Sequence, residues 1–532
     1  MVMSSPETIE GPGSRKKNWL KNLLALALGI SVFPLLEIVL VILGVNPDLG
    51  RNMGNFGIEK KIPVFESTKS NGKVYWYPSQ QWFKKMRYYK TSIRRSFEMP
   101  KPDSTFRILV LGDSSAAGYP FGPMAAFSVW LEVMLNGSGA SQNVEVINLG
   151  INGISSYEVR QLYPQILKAN PDLIVAYLGH NDCMIEKSYS GSLWLDGLAS
   201  RITHELLRTR LYRLIFKPFY NDNSKKRKAI FRYYINLRKK GMRPERDEYF
   251  YPLEKRKKIA KNFARNLDEI IRMTEKAKAP LVLCTVEYNV LDFAPEGSVH
   301  GRKLKPEELK EWESLFSVGN KAYGEANFDE ALKNYQKASA IDDGYAMLRY
   351  KTGRSLAALG KWDDAERELR AAVELSDLPN RALGFINPII REQGRKDLAY
   401  VADVQAAFKK AEQGKVPGDD FFLDSVHPNI DGHRLIAGVI FQTMIENKLG
   451  PALRQPDSSS RQAALDNYAR SLSPEYLHEN YLYMANEERF IGRFRKAMKL
   501  SQKALSYLPN EEIASAMNQR LNALYGNVDT SE

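Results

Sequence analysis

Apolar residues between Phe106 and Leu178 cluster in short runs, each followed by a turn signal. Ile108-Leu-Val-Leu111 ends in Gly112-Asp113-Ser114-Ser115, Val144-Glu-Val-Ile-Asn148 ends in Leu149-Gly-Ile-Asn-Gly153, and Pro171-Asp-Leu-Ile-Val-Ala-Tyr-Leu178 ends in Gly179-His-Asn-Asp182. Runs this short, bounded by glycine and polar residues, predict strands covered on both faces. Phe127–Leu135 and Tyr157–Lys168 lie between them with helical spacing. Far downstream, Pro280–Val286 and Leu398–Ala402 repeat the strand texture. Strands alternating with helices predict an α/β domain, a parallel sheet with helices on both faces.

Two stretches interrupt that rhythm. Counting from Trp312, Leu315, Gly319, Ala331, Tyr335 and Ala338 form a pattern, and thirty-four residues on Gly353, Ala365, Leu369 and Ala372 return in the same register. Small residues let paired helices approach, and larger ones fill the groove between them. The pattern resembles the tetratricopeptide repeat. Ala485, Ala497, Ala504 and Pro509 fit a third unit. Such repeats commonly present a surface to a protein partner, and equally can stiffen the domain that carries them.

The other interruption is basic. Arg201 to Lys258 holds 19 Lys+Arg against 6 Asp+Glu, nearly all of the net +14. An anionic lipid surface or an acidic polysaccharide suits such charge, and a solvated insertion without a partner accounts for it equally well. Nucleic acid is not expected, because no groove-reading or stacking motif accompanies the charge.

Arg15, Lys16, Lys17 and Lys21 precede an apolar run from Leu23 to Val45. At 1.5 Å rise per residue a run this long spans a hydrocarbon core of about 30 Å. Glu37 interrupts it, at a cost of roughly 2.5–3.5 kcal/mol, and the sequence shows no second helix to meet it. The run exceeds a cleaved leader's apolar segment of about 7–15 residues. The expectation is an uncleaved, single-pass anchor with everything after it outside the cytoplasm. The aromatics that follow (Tyr75, Trp76, Tyr77, Trp82, Tyr88, Tyr89) suit either the bilayer interface or packing onto the next domain. Two cysteines, Cys183 and Cys284, exclude a disulfide scaffold. Neither has metal-site spacing, and no metal or organic cofactor is expected.

Gly112-Asp113-Ser114 on a strand-to-helix turn would expose a serine hydroxyl at the carboxyl edge of the sheet, where α/β proteins place ligands. A hydroxyl needs a base to become a nucleophile at neutral pH. Asp424-Ser-Val-His427-Pro428 supplies an imidazole, with a carboxylate three residues earlier to fix its tautomer. Each residue alone has a commonplace reading as a turn, a cap or a structural histidine. The four blocks in this order (Gly112-Asp-Ser, Asn148-Leu-Gly-Ile-Asn-Gly153, Gly179-His-Asn-Asp182 and Asp424-Ser-Val-His427) resemble the SGNH, or GDSL-like, hydrolase superfamily. The likeness covers residues 106–185, 280–295 and 398–445.

That resemblance implies a flavodoxin-like SGNH domain with Ser114 as nucleophile, His427 as base and Asp424 as its partner. It implies an oxyanion hole made of the backbone N–H groups of Ser114 and Gly153 and the side-chain amide of Asn181. Ser115 stands where the motif that names the family has leucine. His180 receives no catalytic role, His433 and Asp431 are read as structural, and Asp113 as support for the turn. The resulting fold expectation is an α/β parallel-sheet domain with an all-α tetratricopeptide insertion, C-terminal helices of the same type and an N-terminal transmembrane helix. The expected divisions are a cytoplasmic 1–22, an anchor 23–45, a juxtamembrane 46–104, catalytic segments 105–185, 261–311 and 381–450, a basic helical insertion 186–260, repeats 312–380 and a tetratricopeptide-like helical region 451–532. The implied chemistry is acyl transfer through an acyl-enzyme on an ester substrate, with O-acylated carbohydrate or envelope polymer favoured by an external, tethered, basic protein. An acyltransferase with the same site, or a non-catalytic scaffold that recruits a partner through its repeats, are the alternatives.

Overall fold

The computed structural model describes residues 32–45, 63–79, 95–184, 206, 209–216, 232, 235–236, 253–396, 398–452 and 458–525. Most of the basic insertion, the segment 23–31 and Trp82, Tyr88 and Tyr89 lie outside these. The chain divides into two compact units, one of 1–61 with 189–223 and one of 62–188 with 224–532.

The larger unit is built on a five-stranded parallel sheet. A small antiparallel sheet precedes it, formed by β1 (Phe65–Ser70), β2 (Lys73–Pro78) and β3 (Phe97–Met99). The main sheet comprises β4 (Thr105–Gly112), β5 (Asn143–Asn148), β6 (Leu173–Tyr177), β7 (Leu281–Cys284) and β8 (Ala399–Ala402), in the spatial order β5-β4-β6-β7-β8. The register places Val110 opposite Asn148 on one side and Val175 on the other. The chain leaves β4 for β5 on one side and crosses back to β6 on the other, so the carboxyl ends of β4 and β6 flank a topological switch point, where doubly wound sheets bind ligands. Ile108, Leu109, Val110, Leu173, Ile174 and Val175 are fully buried, which is why these strands read as solid apolar runs and not as alternation.

The aromatics upstream of the sheet pack onto it. Trp76 and Phe65 meet Phe97, and the Arg107 guanidinium lies 4.5 Å above the Phe97 ring. Arg107 is wholly buried, paired with Glu145 and donating to the carbonyls of Glu98 and Ala169 at 2.8 and 2.7 Å. Every charge-bearing group there has a partner, which a buried guanidinium requires.

The segment after β7 carries two helical hairpins, Pro306–Gly324 with Phe328–Ile341 and Ala346–Ala358 with Trp362–Glu374. The first helix opens at Pro306, ahead of the expected Trp312, because proline at the first turn and Glu308 closing a capping box start it there. A Cβ on Gly319 would sit 2.5 Å from Tyr335, and one on Gly353 would sit 2.6 Å from Leu369. The glycines therefore stand where the paired helix needs room, at equivalent places in both hairpins. Arg370 pairs with Glu287 at 2.9 Å, Arg354 with Asp292 at 2.8 Å, and the Tyr350 hydroxyl donates to the Leu291 carbonyl at 2.9 Å. These bonds fasten the second hairpin to the loop leaving the carboxyl end of β7.

After the helix Ile430–Glu446, four more helices follow: Ser458–Ser471, Pro474–Phe490, Phe494–Tyr507 and Glu512–Tyr525. Ala485, Ala497 and Ala504 are fully buried where the second and third of these pack.

In the smaller unit, residues 32–42 are helical and Arg210–Phe216 forms a short helix. Glu37 accepts from the backbone N–H groups of Arg210 and Leu211 at 2.7 and 2.8 Å, and the Arg210 guanidinium donates to the carbonyls of Leu40 and Val45. The partner helix that the sequence did not reveal comes from the basic insertion. Among the described residues no helix is long and apolar enough to cross a membrane.

Candidate active site

Strand β4 ends at Gly112, whose hydrogen takes the place where a Cβ would strike the Tyr177 carbonyl and the Ala116 methyl. The chain then turns at Asp113, which caps the helix Ser114–Ala117 by accepting from the Ser115 N–H at 3.0 Å. The Ser114 side chain is left at the sheet's carboxyl edge, half-buried. Asp113 itself is 1% exposed. Burial raises its carboxyl to about 6, against the lowering effect of the Ser115 amide and the nearby His427.

His427 Nε2 lies 2.8 Å from Ser114 Oγ, and His427 Nδ1 lies 2.6 Å from Asp424 Oδ2. The other oxygen, Asp424 Oδ1, accepts from the backbone N–H groups of Val426 and His427, both at 2.9 Å. Burial works to raise the Asp424 carboxyl, but the His427 charge, its ring N–H and the two amides outweigh it and bring it down to about 2. Asp424 is therefore an anion at neutral pH, fit to hold Nδ1 protonated and to leave Nε2 facing the serine. The turn that carries this pair is fixed by the Leu423 N–H donating to the His427 carbonyl at 2.9 Å and by the Asn289 N–H donating to the Ser425 carbonyl at 3.0 Å.

The two other loops of the sheet edge converge on the same place. Asn148 donates to the Ala116 carbonyl at 2.8 Å and to Ser128 Oγ at 2.9 Å, while its own oxygen accepts from the Gly150 N–H at 2.8 Å. The Ile151 N–H donates to the Gly112 carbonyl at 2.9 Å. This loop carries Gly153, with φ +74°, a left-handed conformation that favours glycine. Asn181, 6% exposed at the start of the helix His180–Met184, donates one amide N–H to the Ile154 carbonyl at 3.0 Å. One end of the Asn181 side chain is thus pinned beside Gly153, and an amide has a second N–H to offer. Ser114, His427 and Asp424 form one hydrogen-bonded row, and Gly153 and Asn181 are joined to each other through the loop at 154.

The supporting residues separate cleanly from that row. His180 accepts from the Ala382 N–H at 3.3 Å, and its pKa falls to about 3 through burial and the neighbouring His427 charge. His433 is fully buried, and its pKa also falls to about 3, first by burial. Both are neutral side chains at physiological pH. Asp431 sits in the first turn of the helix Ile430–Glu446, which Asn429 caps.

Two features of the site carried no readable signal in the sequence. The Tyr119 ring lies 4.5 Å from the His427 ring, centre to centre, and its hydroxyl is 3.5 Å from that of Tyr483 on the helix Pro474–Phe490. Tyr476 on the same helix donates to the Phe121 carbonyl, and Tyr468 donates to the Met124 carbonyl at 2.8 Å. The C-terminal helices therefore hold the loop that follows Ser114. Lys496 pairs with Asp419 just ahead of the Asp–His turn. Asp182, wholly buried beside Asn181, accepts from the Ser156 N–H at 3.1 Å and from its hydroxyl. Burial raises its carboxyl to about 7, more than those two bonds lower it.

Among the described residues no group of His, Cys, Asp and Glu could hold a metal ion. Cys183 and Cys284 are free thiols, and burial raises both.

The GDSL-like Lipase/Acylhydrolase family matches residues 110–313. That span holds Ser114, Gly153 and Asn181, and ends before Asp424 and His427. Curated relatives that match are Hsc70-interacting protein 1 and Hsc70-interacting protein 2 of Drosophila melanogaster, each 30% identical over 139 residues, which is 26% of this chain and 36% of theirs. The chain thus spans about a third of the length of those relatives. Similar solved structures include an acetyl xylan esterase (13% identity, 63% of this chain and 98% of that one, TM-score 0.28) and a lipase/acylhydrolase from Enterococcus faecalis (13% identity, 66% and 99%, TM-score 0.29). The acylhydrolase match supports an ester-hydrolysing enzyme.

Proposed function

We propose that this chain is a serine esterase that forms an acyl-enzyme on Ser114. The observation that carries the reading is His427 bridging Ser114 Oγ at 2.8 Å and Asp424 at 2.6 Å. Ser114 Oγ attacks the ester carbonyl carbon while His427 Nε2 takes its proton. Asp424 steadies the imidazolium that forms. The N–H groups of Ser114 and Gly153 and the second amide N–H of Asn181 receive the oxyanion, each such donor being worth about 2.7–4 kcal/mol in the transition state. The tetrahedral species expels the alcohol, which takes the proton from His427. A water molecule, deprotonated by the same nitrogen, then releases the acid and restores Ser114. An alcohol in place of water would make the same site an acyltransferase.

The substrate class we propose is O-acylated carbohydrate or an envelope polymer, handled by a protein anchored at a membrane through its N-terminal helix. In support, Leu35, Leu36, Ile38 and Ile42 of that helix are exposed, and the insertion 201–258 is strongly basic. A protein partner on the tetratricopeptide-like hairpins is a second role, supported by glycines recurring where paired helices need room.

Hydrolysis of p-nitrophenyl acetate, followed by release of acetate from acetylated xylan and acetylated peptidoglycan, tests the reading. Turnover by the native chain that disappears in Ser114→Ala is the expected result. Equal rates in two folded proteins would refute the role of Ser114, and lipid turnover without polysaccharide turnover would refute the substrate class.

A further inference from the structure

Ser115 occupies the place where the family motif has leucine, and its hydroxyl is put to use. It is 1% exposed, and its Oγ donates to the Val426 carbonyl at 3.0 Å. The adjacent residue on each side makes the other bond, Ser114 Oγ to His427 Nε2 at 2.8 Å. Two consecutive residues of the nucleophile turn are thus bonded to two consecutive residues of the Asp–His turn.

The two bonds respond differently to the reaction. Once Ser114 Oγ is esterified it has no proton to donate, and the bond that joined it to His427 as donor is gone. The Ser115 bond involves no reacting atom and survives. We propose that Ser115 is a positioning residue that keeps His427 in place while the acyl-enzyme exists, so that Nε2 can deprotonate the incoming water. The bonds from the Leu423 N–H to the His427 carbonyl and from two backbone amides to Asp424 shape the turn internally. The bond from Ser115 registers that turn against the nucleophile. A leucine at this place could not make it, since it has no donor.

This inference rests on the acyl-enzyme reading above, and the experiment separates the two. Native chain, Ser115→Ala, Ser115→Thr and Ser114→Ala are compared with p-nitrophenyl acetate by rapid mixing, each counted for competent sites with a fluorophosphonate probe. Losing the tether slows deacylation. In Ser115→Ala, kcat should fall about ten-fold or more and KM should fall with it, leaving kcat/KM within about three-fold. A burst of p-nitrophenolate close to the number of labelled sites should precede the slow phase. Ser115→Thr keeps a hydroxyl and should recover part of kcat. A purely structural role would lower the labelled fraction and leave KM and kcat per labelled site unchanged, and that outcome overturns the proposal. So does an equal fall of kcat and kcat/KM per labelled site. If Ser115→Ala does not fold, Ser115→Cys, of similar size and a weaker donor, is held to the same criterion. Absence of turnover and labelling in the native chain would sink the serine-esterase reading and this inference together, whereas an active native chain with an unaltered Ser115→Ala sinks this inference alone.

Discussion

The Tyr119 hydroxyl lies 3.5 Å from the Tyr483 hydroxyl, and the Tyr119 ring rests 4.5 Å from the imidazole of His427. A residue close behind Ser114 and one on a C-terminal helix thus meet beside His427. The appended helices are part of the wall of the site, so changes in them should be felt in catalysis. Tyr483→Ala is expected to lower kcat/KM about three- to ten-fold, with the larger loss on bulky esters. Steady-state kinetics on acetate and longer acyl esters checks this, and equal ratios for all substrates would count against it.

Asp424→Asn should cost more. The carboxylate accepts the His427 ring N–H and two backbone amides. An amide in its place loses the charge that stabilises the imidazolium and can favour the wrong tautomer. In triad hydrolases such a change costs about 10⁴ in kcat. Ester hydrolysis with a circular-dichroism control for folding measures it, and a loss below ten-fold would be inconsistent with the assignment.

Gly150→Ala tests how tightly the loop between Asn148 and Gly153 is seated. A Cβ there would run into the Ala117 nitrogen and lie 2.7 Å from its Cα, backbone that has no flexible end to yield. Overpacking of this kind typically costs about 1–3 kcal/mol, and here it also displaces the loop bearing Gly153. A lowered urea midpoint together with a fall in kcat of ten-fold or more is expected. Unchanged stability and activity would show that the loop has room to spare.

Asp182 gives a pH-dependent prediction. Its folded carboxyl is raised to about 7 by burial, while an unfolded aspartate titrates near 3.9. The folded state therefore holds the proton more tightly between those values, and the contribution to stability is present at acid pH and lost as pH rises from about 4 through about 7. Asp182→Asn should flatten that part of the profile and gain stability relative to the native chain above pH 7. Urea unfolding at pH 5, 6, 7 and 8 measures it, and parallel profiles would refute it.

Solid apolar runs ending in Gly-Asp-Ser, in Gly153 and in Asn181 were enough to read β4, β5 and β6 and the residues at their ends. Burial on both faces admits no alternation, and each loop begins where the strand's hydrogen bonding stops. The hairpins were legible because Gly319 and Gly353 answer the same steric demand in the same register. What escaped were contacts between distant segments. The Glu37 carboxylate has its partners at Arg210 and Leu211, in a stretch that reads as basic and helical but carries nothing to tie it to the apolar run. The start of the first hairpin at Pro306 was hidden by a pattern that counts the groove between helices and not the capped end.

The sequence by itself determined the strands, the residues at their ends and the kind of chemistry a serine, a histidine and an aspartate can perform together, because period, turn residues and side-chain type are local properties. Only the tertiary structure decided that Asp424 keeps its charge although buried, that Ser115 spends its hydroxyl on Val426, that Tyr483 reaches Tyr119 and that Asp182 is starved of water. Those outcomes depend on burial and on the distance between groups hundreds of residues apart, quantities that exist only once the chain has closed on itself.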